Sequence, residues 1–148
     1  MPEETNPRIA NSDGRGEFIM IVDDDPLVTL LVERVLTTQG YRIITAADGF
    51  KAIELYKKYQ EVIQLVITDF KMPGMDGMTL FNELRAINPQ VPVALTSGFV
   101  EDDQLGAMMA NGLRGFIPKP LTQQKLLEKV RSILDGLQSD TRTRPDRG

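Results

Sequence analysis

Three consecutive aspartates, Asp23, Asp24 and Asp25, follow the apolar run FIMIV, and a fourth, Asp69, follows LVIT. Ser97 follows VALT, and Lys119 stands between Pro118 and Pro120, just after Phe116-Ile117. Clustered carboxylates repel one another and favour either proton uptake or a bound cation. A hard divalent ion such as Mg²⁺ uses one or two carboxylates together with waters and phosphate oxygens. A carboxylate can also attack a phosphoryl group and become an aspartyl phosphate. That transfer needs positioning and electrostatic stabilisation, because the charge is spread over the phosphoryl oxygens. A metal, Lys119 and backbone N–H groups could supply it, and the Ser97 hydroxyl could donate to a phosphate oxygen. Thr96 and Ser97 are neighbours, and strand residues alternate faces, so only one can point into such a site. The spacing from Pro92 and back from Lys119 favours Ser97, and Gly98 beside it leaves room for a backbone N–H to approach phosphate closely.

Two absences narrow the chemistry. The chain has no cysteine, which excludes disulfides, thiol catalysis and thiolate metal sites. It has no histidine, so a metal would need oxygen ligands, which suits Mg²⁺, Mn²⁺ or Ca²⁺. In any phosphotransfer this chain cannot be the histidine-bearing partner. The net charge of −4 argues against a nucleic-acid surface. No apolar run approaches the roughly 18 residues of a membrane span, and the polar start MPEETNPRIANSDGRGE has no signal-peptide core. A cytoplasmic protein without membrane or direct nucleic-acid contacts is expected.

The elements that must position these residues alternate along one domain-sized chain of 148 residues. Residues 1–16 and 138–148 are polar, rich in Pro, Asn, Ser or charge, and predicted to be flexible tails around a domain at 17–137. FIMIV (18–22) reads as a buried parallel strand. Asp25-Pro26 then opens a helix with an N-cap and a proline at the first helical position. Val28, Leu31, Val32 and Val35 are expected to form its inner stripe, and Gly40 to end it. Further strands are expected at 41–46, 65–68, 93–96 and 116–117. Further helices are expected at 49–59, 76–87, 102–111 and 122–137, the last with Leu126, Val130, Ile133 and Leu137 on one stripe. Asp76 reads as a helix cap rather than a ligand. Alternating strands and helices give a (βα)₅ α/β fold with a doubly wound, five-stranded parallel sheet. Ligands in such sheets bind beyond the C-terminal strand ends, which is where the aspartates, Ser97 and Lys119 fall.

The stretches IMIVDDDP (19–26), VITDFKMPGMDG (66–77), PVALTSG (92–98) and GFIPKP (115–120) each follow or end a predicted strand, in that order. With them the chain resembles the receiver domain of bacterial two-component response regulators. The resemblance implies a flavodoxin-like strand order, 2-1-3-4-5, with Asp69 as phosphoacceptor and Mg²⁺ (or Mn²⁺) as cofactor. Asp24 would bind the metal directly, Asp23 mainly through water, Asp69 as a further carboxylate ligand, and Lys71 through its backbone carbonyl. Lys119 would pair with the phosphoryl group, with a cis peptide before Pro120. Ser97 would be the switch hydroxyl and Phe116 the aromatic that moves with it. The implied partners are a histidine kinase or histidine phosphotransfer protein and an unspecified downstream protein, with a homodimer as a further use of the face built from the fourth helix, fifth strand and fifth helix. The resemblance implies a phosphoacceptor with slow autophosphatase activity, either free-standing or part of a longer hybrid kinase.

Each feature alone has a plainer explanation: an Asp run can simply cap a helix, and Lys119 or Ser97 can be solvated loop residues. Their joint placement at strand ends is what favours a site. Three alternatives are weighed against it. A non-phosphorylated pseudo-receiver would have lost Asp24, Asp69 or Lys119. A haloacid-dehalogenase-like phosphatase expects an acid two residues after its nucleophile, where this chain has Lys71. An FMN-binding flavodoxin-like protein wants a hydroxyl- and glycine-rich loop where this chain has Asp23-Asp24-Asp25.

Overall fold

The computed structural model describes the backbone over residues 14–143 and side chains over 14–137. Five strands, β1 (Phe18–Val22), β2 (Arg42–Ala46), β3 (Ile63–Asp69), β4 (Val93–Ser97) and β5 (Gly115–Pro118), alternate with five helices. The helices are α1 (Pro26–Thr38), α2 (Gly49–Tyr59), α3 (Gly77–Ile87), α4 (Asp102–Ala110) and α5 (Gln123–Thr143). The sheet is parallel throughout, in the order β2-β1-β3-β4-β5. This is the (βα)₅, flavodoxin-like arrangement expected from the sequence.

The strands are apolar on both faces because both faces are covered. Met20, Val22, Val66 and Leu95 point to one side and pack with Tyr56, Leu80, Phe81 and Leu84 of α2 and α3. Ile19, Ile21, Leu65, Ile67, Ala94 and Ile117 point to the other and pack with Val32, Leu36, Leu126, Val130 and Leu134 of α1 and α5. Register then carries the site. Val22 is paired with Thr68, so Asp23 and Asp69 leave the sheet side by side. Asp69 is paired with Thr96, and Ser97 with Pro118, which brings Lys119 to the same edge.

Three boundaries differ from the sequence reading. In α1 the inner stripe is Val32 and Leu36, with Val28 and Val35 alongside, and Leu31 is half exposed. The helix carries leucines on its outer side too, so periodicity alone does not fix which side faces in. Helix α5 continues to Thr143 rather than ending near Leu137. Its apolar stripe stops there, but no proline interrupts the chain before Pro145. Residues 14–16, assigned by sequence to the flexible N-terminal tail, are tied to the α1–β2 turn: Gly14 N–H donates to Gln39 O (2.5 Å) and Gly16 N–H to Gly40 O (3.0 Å). The rest of the expected tails, 1–13 and 144–148, lies outside the described residues.

Just beyond that turn, Arg131 of α5 is buried among polar groups. Its guanidinium meets Glu17 at 3.0 Å, Asp135 at 3.1 Å and the Tyr41 hydroxyl at 3.3 Å. Among the described residues, no helix is long and apolar enough to cross a membrane.

Candidate functional site

The site is built where β1 and β3 end. Asp23 still extends the sheet, its N–H donating to Ala46 O at 3.2 Å, and its side chain is buried. One carboxylate oxygen of Asp23 accepts from the Asp25 N–H (2.9 Å) and the other faces Lys119 Nζ (3.4 Å). Asp25 itself caps α1, accepting from Leu27 N–H at 2.9 Å, with Pro26 in the first turn as its fixed φ suits. Asp24, between them, is exposed. Asp69 is buried, accepts from the Phe70 N–H at 3.0 Å, and lies 3.3 Å from Lys119 Nζ. One oxygen each from Asp23, Asp24 and Asp69 falls within 4.8 Å of the others.

Lys119 therefore bridges the two buried carboxylates. Its loop is set by the Lys119 N–H donating to Ser97 O at 2.9 Å and by a cis peptide before Pro120, as the resemblance implies. Burial raises the Asp69 pKa and the neighbouring Asp23 charge raises it further, against the opposing pull of Lys119. Burial works against the Lys119 charge, but Asp23 and Asp69 outweigh it and hold the ammonium above its ordinary value. The arrangement is a negatively charged pocket with one cation, still crowded enough to disfavour ionised Asp69.

A divalent cation fits this donor set. The converging atoms are all carboxylate oxygens, and with no cysteine or histidine anywhere no soft ligand competes. The cation would also offset the Asp23 charge that, after burial, raises the Asp69 pKa. Among the described residues this is the only group of three or more acids close enough to share an ion.

The other expected site residues take distinct positions. Ser97 is buried, and its hydroxyl is engaged with the loop behind it: it donates to Phe99 O (2.6 Å) and accepts from Phe99 N–H (3.1 Å). Phe116 is partly buried against the core on the α2–α3 side of the sheet. The Lys71 side chain is exposed in the loop after Asp69. Asp76 caps α3, accepting from Thr79 N–H at 2.8 Å, as expected of a cap. Met108 of α4 is buried and Met109 half exposed.

What the sequence reading missed is the apolar rim. Leu27, Leu30 and Leu31 of α1, Phe50 at the start of α2 and Phe99 after β4 are all at least half exposed, and all lie on segments that follow a strand's C-terminal end, the edge of the sheet on which the acids stand. A groove of about 540 Å³ beside Asp24 is lined by Pro26, Leu30, Glu33 and Ala47 among others. The signal was present in α1, whose leucines at i, i+3 and i+4 form a second apolar stripe on the outer side.

The family model described as the response regulator receiver domain matches residues 19–131. Over 117 residues the chain is 32% identical to the sensor kinase CckA of Brucella abortus, covering 79% of this chain but 12% of that protein. It is 31% identical over 117 residues to the chemotaxis protein CheY of Treponema pallidum, covering 78% of this chain and 81% of that one. Among solved structures, that of the CheX-CheY-BeF3-Mg+2 complex from Borrelia burgdorferi matches with a TM-score of 0.76 and 31% identity, over 79% of this chain and 88% of that one. The receiver domain of the hybrid histidine kinase CckA matches with a TM-score of 0.67 and 32% identity, over 79% and 98%.

Proposed function

The chain belongs to the response regulator receiver domain family of two-component signalling, and from that premise we propose that it takes a phosphoryl group from a partner phosphohistidine onto Asp69, with Mg²⁺ as cofactor, and changes a protein-binding surface in response. The observation that carries this reading is the convergence of Asp23, Asp24 and Asp69 within 4.8 Å, with Lys119 bridging the two buried ones. The 31% identical CheY of Borrelia burgdorferi, in its complex with CheX, BeF3 and Mg+2, supports the choice of chemistry.

In the proposed transfer an Asp69 carboxylate oxygen forms a bond to phosphorus as the donor's P–N bond breaks. The electron pair leaves on the imidazole nitrogen. Asp23, Asp24 and Asp69, with the backbone carbonyl of Lys71, would hold Mg²⁺, which when bound neutralises charge on the phosphoryl oxygens. Lys119 stays protonated throughout, since its neighbours hold its pKa high, and it exchanges its contact with the Asp69 carboxylate for one with the incoming phosphoryl. Water later cleaves the acyl phosphate slowly, so the unit is an acceptor with autophosphatase activity.

Ser97 supplies the switch. Its hydroxyl has one proton, now given to Phe99 O. Donation to a phosphoryl oxygen instead frees the Phe99 carbonyl, shifts the β4–α4 loop, and opens space for Phe116 to rotate inward. The surface so reshaped is the α4-β5-α5 face, which would receive the downstream protein or a second copy. The shift in population is driven by contacts made only with the phosphorylated site.

The outer face of α1 suits the donor. Leu27, Leu30 and Leu31 present an apolar stripe beside the acidic pocket, a surface that a helix of a histidine kinase or phosphotransfer protein could cover. A partner of that kind places the receiver in the cytoplasm, with residues 17–137 as the working unit. The retention of Asp24, Asp69 and Lys119 together weighs against a pseudo-receiver.

The test is incubation of the purified chain with a small acyl-phosphate donor and Mg²⁺, followed by prompt intact-mass measurement. One added phosphoryl group is expected, absent with chelator and in Asp69→Ala. A folded chain that binds Mg²⁺ and accepts a phosphoryl group at another residue, or none from either a small donor or a phosphorylated histidine protein, would overturn the assignment.

A further inference from the structure

We propose that Phe50 is a positioning residue for the cation site: with Gly49 it clamps the loop that carries Lys71, so that this loop is in place before a cation arrives. The inference rests on the Mg²⁺ reading above and adds to it a residue that touches neither metal nor phosphoryl group.

The loop after Asp69 is closed at its base. Phe70 N–H donates to Thr96 O at 2.9 Å, and Gly77 N–H donates to Phe70 O at 2.7 Å. Between these ties, Lys71, Met72, Pro73, Gly74 and Met75 make no backbone hydrogen bond with any described residue. Packing must hold them instead. Met72 is buried in the core and anchors the near side. The tip is held from across the sheet, by the first two residues of α2. Met75 passes over Gly49 so closely that a Cβ there would stand 2.6 Å from its sulfur. Gly74, at φ +81°, takes a conformation that favours glycine. The Phe50 ring lies over it, with Cε2 3.3 Å from where a Cβ would be.

Phe50 has no other evident task. The residue is 60% exposed, and it is absent from both core clusters. An aromatic residue so exposed adds little to folding, yet here it covers the tip of a loop that has no hydrogen bonds of its own. The clamp is itself rigid. Asp48 caps α2, accepting from the Lys51 N–H at 2.8 Å, and Ala46 O accepts from the Asp23 N–H. Both ligand-bearing segments, the one after β1 and the one after β3, thus lean on the β2–α2 junction.

Mg²⁺ tolerates little departure from octahedral geometry, so a loop that wanders must be reordered each time an ion binds. Restraining it beforehand removes that entropy loss from the binding step. Loss of the restraint weakens binding without removing a ligand, the behaviour of residues that orient metal ligands from outside.

The experiment uses the full chain with Phe50→Ala and Phe50→Tyr, Mn²⁺ binding followed by electron paramagnetic resonance, and ¹⁵N order parameters of the metal-free protein. Phe50→Ala should bind Mn²⁺ about tenfold more weakly, the low end for such outer residues, and order parameters should fall over Lys71–Met75 and not elsewhere. Phe50→Tyr, which keeps the ring, should restore both. Unchanged Mn²⁺ affinity in Phe50→Ala would overturn the inference, as would weaker binding with an unaltered loop or a loss of order spread through the chain. Folded wild-type protein that binds no Mn²⁺ would overturn the metal reading first and this inference with it, an outcome distinct from all the others.

Discussion

The environment of Asp69 opposes its own charge. Burial and Asp23 raise its pKa and Lys119 offsets them only in part. The folded protein therefore holds a proton on Asp69 more tightly than the unfolded chain does. Stability falls as pH rises from the ordinary carboxylate value through the raised one, and the full penalty is present above it. Asp69→Asn removes that penalty. Thermal melts without divalent metal should show the variant more stable than wild type at pH 7, by about 2–4 °C for each kcal/mol relieved. The gap should close as pH falls toward 4 and below. A gap that persists at low pH would mean that ionisation is not its cause. Lys119→Met tests the opposite partner. It leaves two buried acids facing each other, so cation binding should survive while the phosphorylation rate falls about 10²–10³-fold, the loss seen when one electrostatic donor is removed from a reacting site. Time courses with a small acyl phosphate would measure it. At this scale the sequence was most legible: strand ends, residue type and order were enough to select Asp23, Asp24, Asp69, Ser97 and Lys119. The bond from Ser97 to Phe99 was not legible, because a hydroxyl's partner depends on the path of the following loop.

At the scale of elements, α1 has two apolar faces and one core. Val32 and Leu36 are buried, whereas Leu27, Leu30 and Leu31 are half exposed or more. Leu27→Lys with Leu31→Lys should leave folding within about 0.5 kcal/mol, as surface changes do, and leave phosphorylation by a small donor unchanged. Transfer from a phosphorylated histidine protein should slow about tenfold or more, since each 1.4 kcal/mol lost from docking is a factor of ten. Equal slowing with both donors would show that the helix acts on the site and not on the partner. The same helix marks the limit of periodicity. Asp25-Pro26 and Gly40 marked its ends, but with leucines on two sides apolar spacing assigned Leu31 to the core when Leu36 is there. In α2, with Ala52 and Tyr56 on one side and Lys57-Lys58 on the other, the contrast was strong and the span was read to the residue. The extra turns of α5 were missed because its last residues are polar, and polar residues neither demand nor forbid a helix.

Across the whole molecule, two charge clusters sit at opposite edges of one sheet and should answer pH in opposite directions. The site lies where the strands end, whereas Glu17, Tyr41 and Arg131 meet where β1 and β2 begin, separated by five-residue strands of about 16 Å. Topology put the first cluster within reach of sequence reasoning, since ligands gather at C-terminal strand ends. No such rule predicts the second, which joins residues more than a hundred positions apart. Arg131 is buried and ties α5 to the segment before β1. Burial raises the Glu17 pKa, but the Arg15 N–H and Arg131 outweigh it and hold the carboxyl below its ordinary value. That stabilisation is present above the ordinary carboxylate value and is lost as pH falls through the lowered one. Arg131→Met strands Glu17, whose side chain is 12% exposed, while Asp135, at 54%, can return to water. The variant should lose about 3–5 kcal/mol in urea unfolding at pH 7, the cost of breaking a buried pair from one side, and less as the pH is lowered toward 3. Adding Glu17→Gln should recover part of it. Where the variant remains folded, Asp69 should still take up a phosphoryl group, because the site's own ties run through β2, β3 and Lys119. Loss of phosphorylation in folded Arg131→Met would instead mean that the two edges of the sheet are coupled.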